Sequence, residues 1–304
     1  MEIPKQEVII EAIRVLRHGG IVIFPTDTAF GIGCRMDDKN AVNRLFAIRK
    51  RPLTQATPVL VASEAMALAY YINPSEVVRR LMKVHWPGAL TIISHCRTSL
   101  VYSPIRGGGK TIGLRMPDHE AALALIRGVG VPILGPSANF HSYPTPYRFE
   151  DLDPDLINFV DLVVPGKCKT GNASTVVDCS VTPYRIIRQG VITLQPPSIT
   201  IDSSGSEAIC VVLQTPDGSR YDLKKSVSQA KAQEILPMIE ELLSAHNMTP
   251  ADLSEIRVNT GPGSYTGLRV GVAVASMLGA LLGVPVNGLP VGQTVAPIYQ
   301  SDRW

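Results

Sequence analysis

Short apolar runs alternate with amphipathic helical patterns along the first 190 residues, and this alternation limits the possible folds more than any other feature. Runs such as Ile21–Phe24 and Leu90–Ser94 have the length of buried strands, whereas Gln6–His18 repeats apolar residues at helical spacing. Gly19-Gly20 then supplies a stop for that helix. Regular alternation of this kind predicts an α/β fold, in which helices pack on a sheet.

The same patterns predict further elements in this part of the chain. The strands are Pro58–Ala62, Thr111–Arg115, Ile133–Leu134, Leu162–Val164, Thr175–Asp178 and Arg185–Arg188. The helices are Lys39–Arg49, Ser75–Val84 and His119–Val129.

A domain boundary is predicted near residue 195. Pro196-Pro197 cannot continue a helix or a central strand, so the pattern is interrupted there. Residues 1–190 hold 22 Lys and Arg against 16 Asp and Glu, whereas residues 191–304 hold 7 against 10. We therefore predict domains at 1–194 and 195–304, of which the first, at +6, suits anionic ligands.

Beyond the boundary the pattern of strands and helices begins again. Strands are predicted in "SITIDSS" and "AICVVLQ", with a hairpin turn at Asp217-Gly218 leading into "RYDLKK". Gln229–His246 has an apolar stripe, and a second long helix covers Thr266–Leu282. This part is therefore predicted to be a second, smaller α/β domain.

Composition indicates a globular protein, since 45% of the residues are hydrophobic and 18% are charged. No unbroken apolar run has the length of a transmembrane helix, so we expect no membrane. The five cysteines are scattered and form no CxxC pair, which favours a reducing, cytoplasmic location and argues against structural zinc.

The stretch "IRGGGKTIGLRMP" (residues 105–117) looks at first like a phosphate-binding P-loop. A Walker loop needs a glycine five residues before Gly109, but Pro104 occupies that position. The residues after Lys110 alternate like a strand rather than a helix, so no helix N-terminus is available for a phosphate. We expect a mobile glycine-rich loop, from which Lys110 contacts a ligand at most as a point charge.

Four polar segments lie at the ends of predicted strands or helices. They are "PTDT" (25–28), "RKRP" (49–52), "SAN" (137–139) and "STVVD" (174–178). Each has an ordinary structural explanation, because Thr and Ser cap turns and helix-end cations offset the helix dipole. Their joint order along one chain points instead to a single site.

Residues 7–190 resemble the YrdC-like threonylcarbamoyl-AMP synthase family. The resemblance rests on those four segments together with "HWPGALT" (85–91), "IGLRMPDH" (112–119) and "RIIRQG" (185–190). It implies a twisted, mixed-sheet α/β domain that joins L-threonine, bicarbonate and ATP into threonylcarbamoyladenylate and releases pyrophosphate. The product would serve the t6A modification of tRNA.

The resemblance also implies roles for individual residues. Arg49, Arg51 and Arg188 are expected at the ATP phosphates, where arginine supplies bidentate donors. Ser137 and Asn139 are expected at ATP and the carbamate, so that Arg49, Arg51, Ser137 and Asn139 form the catalytic set. The remaining expected contacts are Ser174 in the ATP pocket, and Thr26, Thr28 and Arg115 at the threonine end. Mg²⁺ is expected to bind through ATP, because no carboxylate cluster offers a metal site.

Two positions depart from the family pattern. Arg49 stands where lysine is usual, which keeps the charge but changes its geometry. Ser142 stands where the segment after "SAN" usually has glycine.

Residues 198–298 resemble a different family, the t6A-pathway member of the actin-like ATPases that partners the threonylcarbamoyl transferase subunit. "TIDSS" (200–204) and "GPGSYTGLRVG" (261–271) carry this resemblance. It covers only the first, ribonuclease H-like lobe of a two-lobed fold. We therefore interpret "GPGSYTGLRVG" as structural, and expect the lobe to dock the transferase subunit and to form a homodimer in its absence.

Two other functions remain open on the sequence alone. YrdC-like domains can bind double-stranded RNA, so the chain could be an RNA-binding module without synthase activity. Alternatively, the second part could have an actin-like kinase activity, although that fold binds its nucleotide between two lobes. Under the leading hypothesis tRNA is an indirect partner.

Overall fold

The computed structural model describes residues 6–226 and 231–299. The chain divides into two compact units. The first contains residues 1–180 and 186–193, and the second contains residues 181–185 and 194–304.

The first unit is an α/β structure, as predicted. Its helices are α1 (Gln6–Arg17), α2 (Lys39–Ile48), α3 (Glu64–Tyr70), α4 (Glu76–His85), α5 (Glu120–Val129) and α6 (Pro154–Ile157). Its strands are β1 (Val22–Pro25), β2 (Phe30–Gly33), β3 (Val59–Leu60), β4 (Leu90–His95), β5 (Thr111–Arg115), β6 (Ile133–Leu134), β7 (Leu162–Val163), β8 (Thr175–Asp178) and β9 (Arg185–Arg188). Short 3-10 turns lie at Ser103–Arg106 and Phe149–Asp151.

Both sheets of this unit mix parallel and antiparallel pairs. The larger has the order β6-β3-β5-β4-β8-β9, in which β3–β5 and β4–β8 are parallel. The smaller has the order β2-β1-β7, with β1 and β2 joined as an antiparallel hairpin. A bridge between Gly31 and Ser137 connects this hairpin to the segment after β6. Polar segments from both sheets thereby come together.

The core of this unit holds the site-bearing segments in place. Leu16 of α1 and Leu125 of α5 pack with Phe24 of β1, and all three are fully buried. The side chain of Asp38 caps α2 by accepting from the backbone N–H groups of Asn40 and Ala41. Because α2 is fixed at its start and along its buried face, its C-terminal residue Arg49 has a defined position.

The second unit contains one mixed sheet with two long helices. Its elements are β10 (Ser198–Asp202), β11 (Ala208–Gln214), β12 (Arg220–Ser226), α7 (Lys231–Ala245), β13 (Glu255–Val258) and α8 (Tyr265–Leu282), with a 3-10 turn at Pro250–Asp252. The strand order is β12-β11-β10-β13, and only β10–β13 is parallel. The α/β lobe predicted here is confirmed.

The apolar stripe of α7 is buried within this unit. Ile235, Met238, Leu242 and Leu243 are at most 7% exposed and pack against strands such as β11. A single small lobe therefore does bury this stripe. The covering surface is formed by the sheet together with residues of α8 such as Val272 and Ala275, which belong to the same core cluster.

Helix α8 is buried on one side only. Leu268, Gly271 and Ala275 face the core, whereas Met277 is 54% and Leu281 is 78% exposed. By length and composition this helix is also apolar enough to cross a membrane, with 39% of it buried. One such helix is weak evidence of membrane insertion, so the absence of a membrane stays a prediction.

Candidate functional site

The turn between β1 and β2 is buried and hydrogen-bonded. Thr26, Asp27 and Thr28 are 3–4% exposed. The Thr26 hydroxyl donates to the Ala29 carbonyl at 2.7 Å and accepts from the N–H groups of Thr28 and Ala29 at 3.2 Å. Thr26 was expected to contact threonine. These hydrogen bonds show that its hydroxyl also stabilises the turn.

Arg115, at the end of β5, is held by this turn. Its guanidinium pairs with the Asp27 carboxylate, donates to the Thr28 hydroxyl at 2.7 Å, and donates to the Gly88 carbonyl at 3.0 Å. Asp27 was missed in the sequence, although it stands in the middle of the "PTDT" segment. Its backbone carbonyl also accepts from the N–H groups of Lys169 and Thr170, so the carboxylate is fixed from both sides.

Arg49 is a buried cation with one free donor. It is 3% exposed, and it donates from Nε to the Asn139 carbonyl at 3.0 Å and from Nη2 to Asn139 Oδ1 at 3.1 Å. Its Nη1 is buried and has no partner among the described residues. Burial, with the nearby charge of Arg51, lowers the pKa of Arg49 to about 10. A buried, unsatisfied donor is costly, and a bound anion would remove that cost.

Asn139 positions its neighbours and does not line the pocket. Its Oδ1 accepts from Arg49 and, at 2.6 Å, from the Ser137 hydroxyl, while Nδ2 donates to the Tyr143 carbonyl. Two acceptor positions of Oδ1 and one of the two Nδ2 donors are thereby used. Its polar atoms hold Arg49 and Ser137, and the expected contact of Asn139 with ATP stays a prediction.

Arg51, two residues after Arg49, and Arg188 of β9 also line the pocket. Arg51 donates to the carbonyls of Gln55 at 3.2 Å and Ala56 at 2.5 Å. Arg188 donates twice to the Ser174 carbonyl, at 3.0 and 2.9 Å, and once to its hydroxyl. Burial lowers the pKa of both arginines. The Ser174 hydroxyl is also 3.0 Å from that of Thr91, a second residue that the sequence did not single out.

These side chains line one cavity of about 210 Å³. Eight of the nine residues expected from the sequence line it, namely Thr26, Thr28, Arg49, Arg51, Arg115, Ser137, Ser174 and Arg188. No acidic side chain is among the described residues of the lining, and the nearby Asp27 is already paired with Arg115. The cavity therefore has an uncompensated positive charge and suits a polyanion.

The structure offers no protein site for a metal ion in the parts of the chain that it describes. Within residues 6–226 and 231–299, no three His, Cys, Asp or Glu side chains form a group that could hold one.

The glycine-rich stretch is not a P-loop. The N–H groups of Gly107, Gly108 and Gly109 donate to the carbonyls of Pro104, Ser103 and Arg106, at 3.0 to 3.1 Å. These N–H groups are already hydrogen-bonded within their own turn and cannot bind a phosphate. The loop expected to be mobile is thus hydrogen-bonded throughout, and Lys110 does not line the cavity.

Curated relatives of the first unit include proteins of two lengths. A threonylcarbamoyl-AMP synthase of Bacillus subtilis is 36% identical over 190 residues, covering 61% of this chain and 54% of that protein. An uncharacterized protein of Haemophilus influenzae is 34% identical over 191 residues, covering 62% of this chain and 92% of that protein. The chain thus spans about half the length of the B. subtilis relative.

Solved structures show the same fold. The crystal structure of P. abyssi Sua5 complexed with L-threonine has a TM-score of 0.60 at 22% identity, covering 94% of this chain and 89% of that one. The crystal structure of Escherichia coli YciO has a TM-score of 0.57 at 29% identity, covering 62% of this chain and 92% of that one.

Two family profiles match the chain in succession. Residues 225–299 match the TsaD family, described as tRNA N6-adenosine threonylcarbamoyltransferase, which agrees with the resemblance of the second unit. Residues 14–190 match the Sua5/YciO/YrdC family, described as telomere recombination, and include every residue of the cavity. This match covers more than half of the sequence, so the chain belongs to the Sua5/YciO/YrdC family and carries a TsaD-like segment behind it.

Proposed function

We propose that the first unit makes L-threonylcarbamoyladenylate from L-threonine, bicarbonate and ATP and releases pyrophosphate. The observation that carries this proposal is the cavity with four arginines, in which Arg49 Nη1 is buried without a partner in the described chain. The names of the B. subtilis relative and of the threonine-bound Sua5 structure support the choice of substrates.

The reaction joins two anions, so charge stabilisation is its main requirement. An oxygen of the carbamate group, on the threonine nitrogen, attacks the α-phosphorus of ATP. The bond from that phosphorus to the oxygen that bridges it to the β-phosphorus breaks, and pyrophosphate leaves. Arg49, Arg51 and Arg188 would bind the phosphate oxygens and stabilise the negative charge that develops there. Arg115 and Thr28 would bind the threonine end. Mg²⁺ would enter with the triphosphate.

Product analysis tests the proposal directly. The full chain with ATP, Mg²⁺, bicarbonate and threonine should form threonylcarbamoyladenylate, detected by mass spectrometry, together with pyrophosphate. Omitting threonine should abolish both products. Serine should be poorer by about 1–3 kcal/mol if the pocket contacts the threonine methyl group. Pyrophosphate release without threonine dependence would contradict the proposal, and RNA binding alone would favour the RNA-binding alternative.

The second unit would bring the site of adenylate synthesis close to the enzyme that uses the adenylate. We infer that it docks the threonylcarbamoyl transferase subunit of the t6A machinery, and that two copies pair when that subunit is absent. The TsaD-like match supports this, as do the exposed apolar side chains of Leu236 on α7 and of Met277 and Leu281 on α8. Docking would place an unstable adenylate beside the enzyme that uses it on tRNA. The five unpaired cysteines favour a cytoplasmic location for these steps.

A further inference from the structure

The glycine-rich turn at residues 103–109 is a rigid unit. Besides the three glycine N–H bonds, the Arg106 guanidinium donates to the carbonyls of Val101 and Gly109, which closes the turn on itself. Gly107 has φ +58° and Gly108 has φ +80°, both in the left-handed region that favours glycine. A turn held in this way can brace a neighbouring segment.

The neighbouring segment is 54–57, and the two pack backbone against backbone. The Thr57 N–H donates to the Ile105 carbonyl at 2.9 Å. A methyl group added at Gly107 would lie 2.7 Å from both the Thr54 carbonyl oxygen and the Ala56 nitrogen, too close for any side chain. Gly108 has no atom within 4 Å of the same position. Gly107 is therefore the point of close contact, and Gly108 is not.

The braced segment is also the one that holds Arg51. The carbonyls of Gln55 and Ala56 accept from Arg51 Nε and Nη2, which leaves Nη1 without a partner among the described residues. The position of these two carbonyls therefore sets where the free end of the guanidinium lies in the cavity. The same segment continues through Pro58 into β3, whose Leu60 lines the cavity.

We propose that the glycine-rich turn is a brace, with Gly107 as the positioning residue that fixes Arg51 for binding the ATP phosphates. The turn that looks like a P-loop in the sequence thus contributes to phosphate binding by positioning an arginine, and not by donating its own backbone N–H groups. This inference rests on the proposed ATP site. A side chain at Gly107 would displace residues 54–56 and carry Arg51 away from the phosphates.

The test compares alanine substitutions at two neighbouring glycines, both of which have a positive φ. Gly107→Ala and Gly108→Ala both place alanine at a left-handed position, but only the first adds a close contact. Affinity for Mg-ATP, measured by calorimetry without threonine or bicarbonate, should fall about tenfold for Gly107→Ala, the loss of one charged hydrogen bond. Gly108→Ala should bind like the wild type. Affinity for threonine should be unchanged in both.

A double-mutant cycle separates a role through Arg51 from general damage. In an Arg51→Ala background, Gly107→Ala should have no further effect on ATP affinity, because both changes remove the same contact. An equal loss in both backgrounds, or equal losses for Gly107→Ala and Gly108→Ala, would overturn the brace while leaving the proposed function intact. A wild-type chain that binds no ATP would overturn both.

A second variant covers the case in which Gly107→Ala does not fold. Arg106→Ala removes the side chain that closes the turn and adds no close contact. It should weaken ATP binding about threefold, with the effect again absent when Arg51 is alanine. Unchanged ATP affinity in Arg106→Ala would then count against the brace.

Discussion

At the scale of single residues, Arg51 and Ser137 are the clearest test of the site. Both line the cavity, and neither packs in the hydrophobic core. Arg51→Ala and Ser137→Ala should therefore stay folded but lose about tenfold or more in kcat/KM for ATP, since a hydrogen bond to a charged group contributes roughly 1.5–3 kcal/mol. Pyrophosphate release would be the assay. An Arg51→Ala variant with the wild-type rate would refute the site assignment.

Arg49 shows why a family's usual residue is not always interchangeable. Lysine is the residue usual in the family, so the sequence suggests that Arg49→Lys is tolerated. The structure changes this expectation, because Nε and Nη2 bond to two atoms of Asn139 while Nη1 stays free for a ligand, and the single nitrogen of lysine cannot occupy all three positions. We expect about a tenfold loss in kcat/KM for ATP. The control is Lys50→Arg, the reverse exchange at the adjacent exposed residue. An Arg49→Lys variant as active as this control would show that the two contacts with Asn139 are dispensable.

Asp27 and Arg115 form a buried ion pair whose loss should be felt in both stability and binding. Asp27→Asn removes the charge that compensates Arg115, and breaking a buried pair costs about 3 kcal/mol or more. Denaturant unfolding should show this loss, and KM for threonine should rise because Arg115 loses its fixed orientation. The exposed pair Arg35–Asp37 is the matched control. Asp37→Asn should change stability by less than about 1 kcal/mol, and an equal effect of the two substitutions would contradict the argument.

At the scale of elements, strands with β-branched and aliphatic runs were predictable, whereas strand β2, helix α3 and the four-residue helix α6 were not. The predicted strands Thr111–Arg115, Ile133–Leu134 and Thr175–Asp178 match the structure residue for residue. Strand β2 was missed because its sequence "FGIG" has two glycines and only two apolar residues. Helix α3 was missed because its seven residues span only two turns, too few for a clear period.

The site was predictable in its membership but not in its internal bonding. Eight of nine expected residues line one cavity, because each polar segment lies at an end of a strand or helix that the sequence reveals. The roles of Thr26 and Asn139 depend on hydrogen bonds across a turn, which no sequence pattern specifies. Asp27 was hidden for the same reason, since its partner Arg115 is 88 residues away.

Helix α7 contains an exposed proline at position 237, in its interior. Proline cannot donate the backbone hydrogen bond of that turn and costs roughly 3 kcal/mol in a helix interior. Pro237→Ala should therefore raise the stability of the second unit, measured by thermal unfolding, and leave synthase activity unchanged. Leu236, beside it, is 37% exposed. A lower melting temperature for Pro237→Ala would mean that the helix is adapted to the proline.

At the scale of the whole molecule, charge is distributed differently between the two parts of the chain. Residues 1–190 have a net charge of +6 and contain the arginine-lined cavity, whereas residues 191–304 have a net charge of −3. Exposed apolar side chains occur in both parts, and in the second unit they include Leu236 of α7 and Leu281 of α8. The cavity that suits a polyanion thus lies in the part with the positive net charge.

The exposed face of α8 leads to a prediction about assembly. The full chain should run as a dimer of twice 32.8 kDa by size-exclusion chromatography with light scattering. Leu281→Glu, at a residue that is 78% exposed, should give monomers because a charge in an apolar interface is left unpaired. It should also weaken binding of the purified transferase subunit.

The control for this assembly test is an exposed leucine elsewhere. Leu100→Glu changes a 54% exposed leucine of the first unit and should leave the dimer intact. A monomeric wild type would refute self-pairing. If Leu281→Glu still binds the transferase subunit as the wild type does, the docking surface lies elsewhere on the molecule. Adenylate synthesis should be unchanged in both variants, because neither residue lines the cavity.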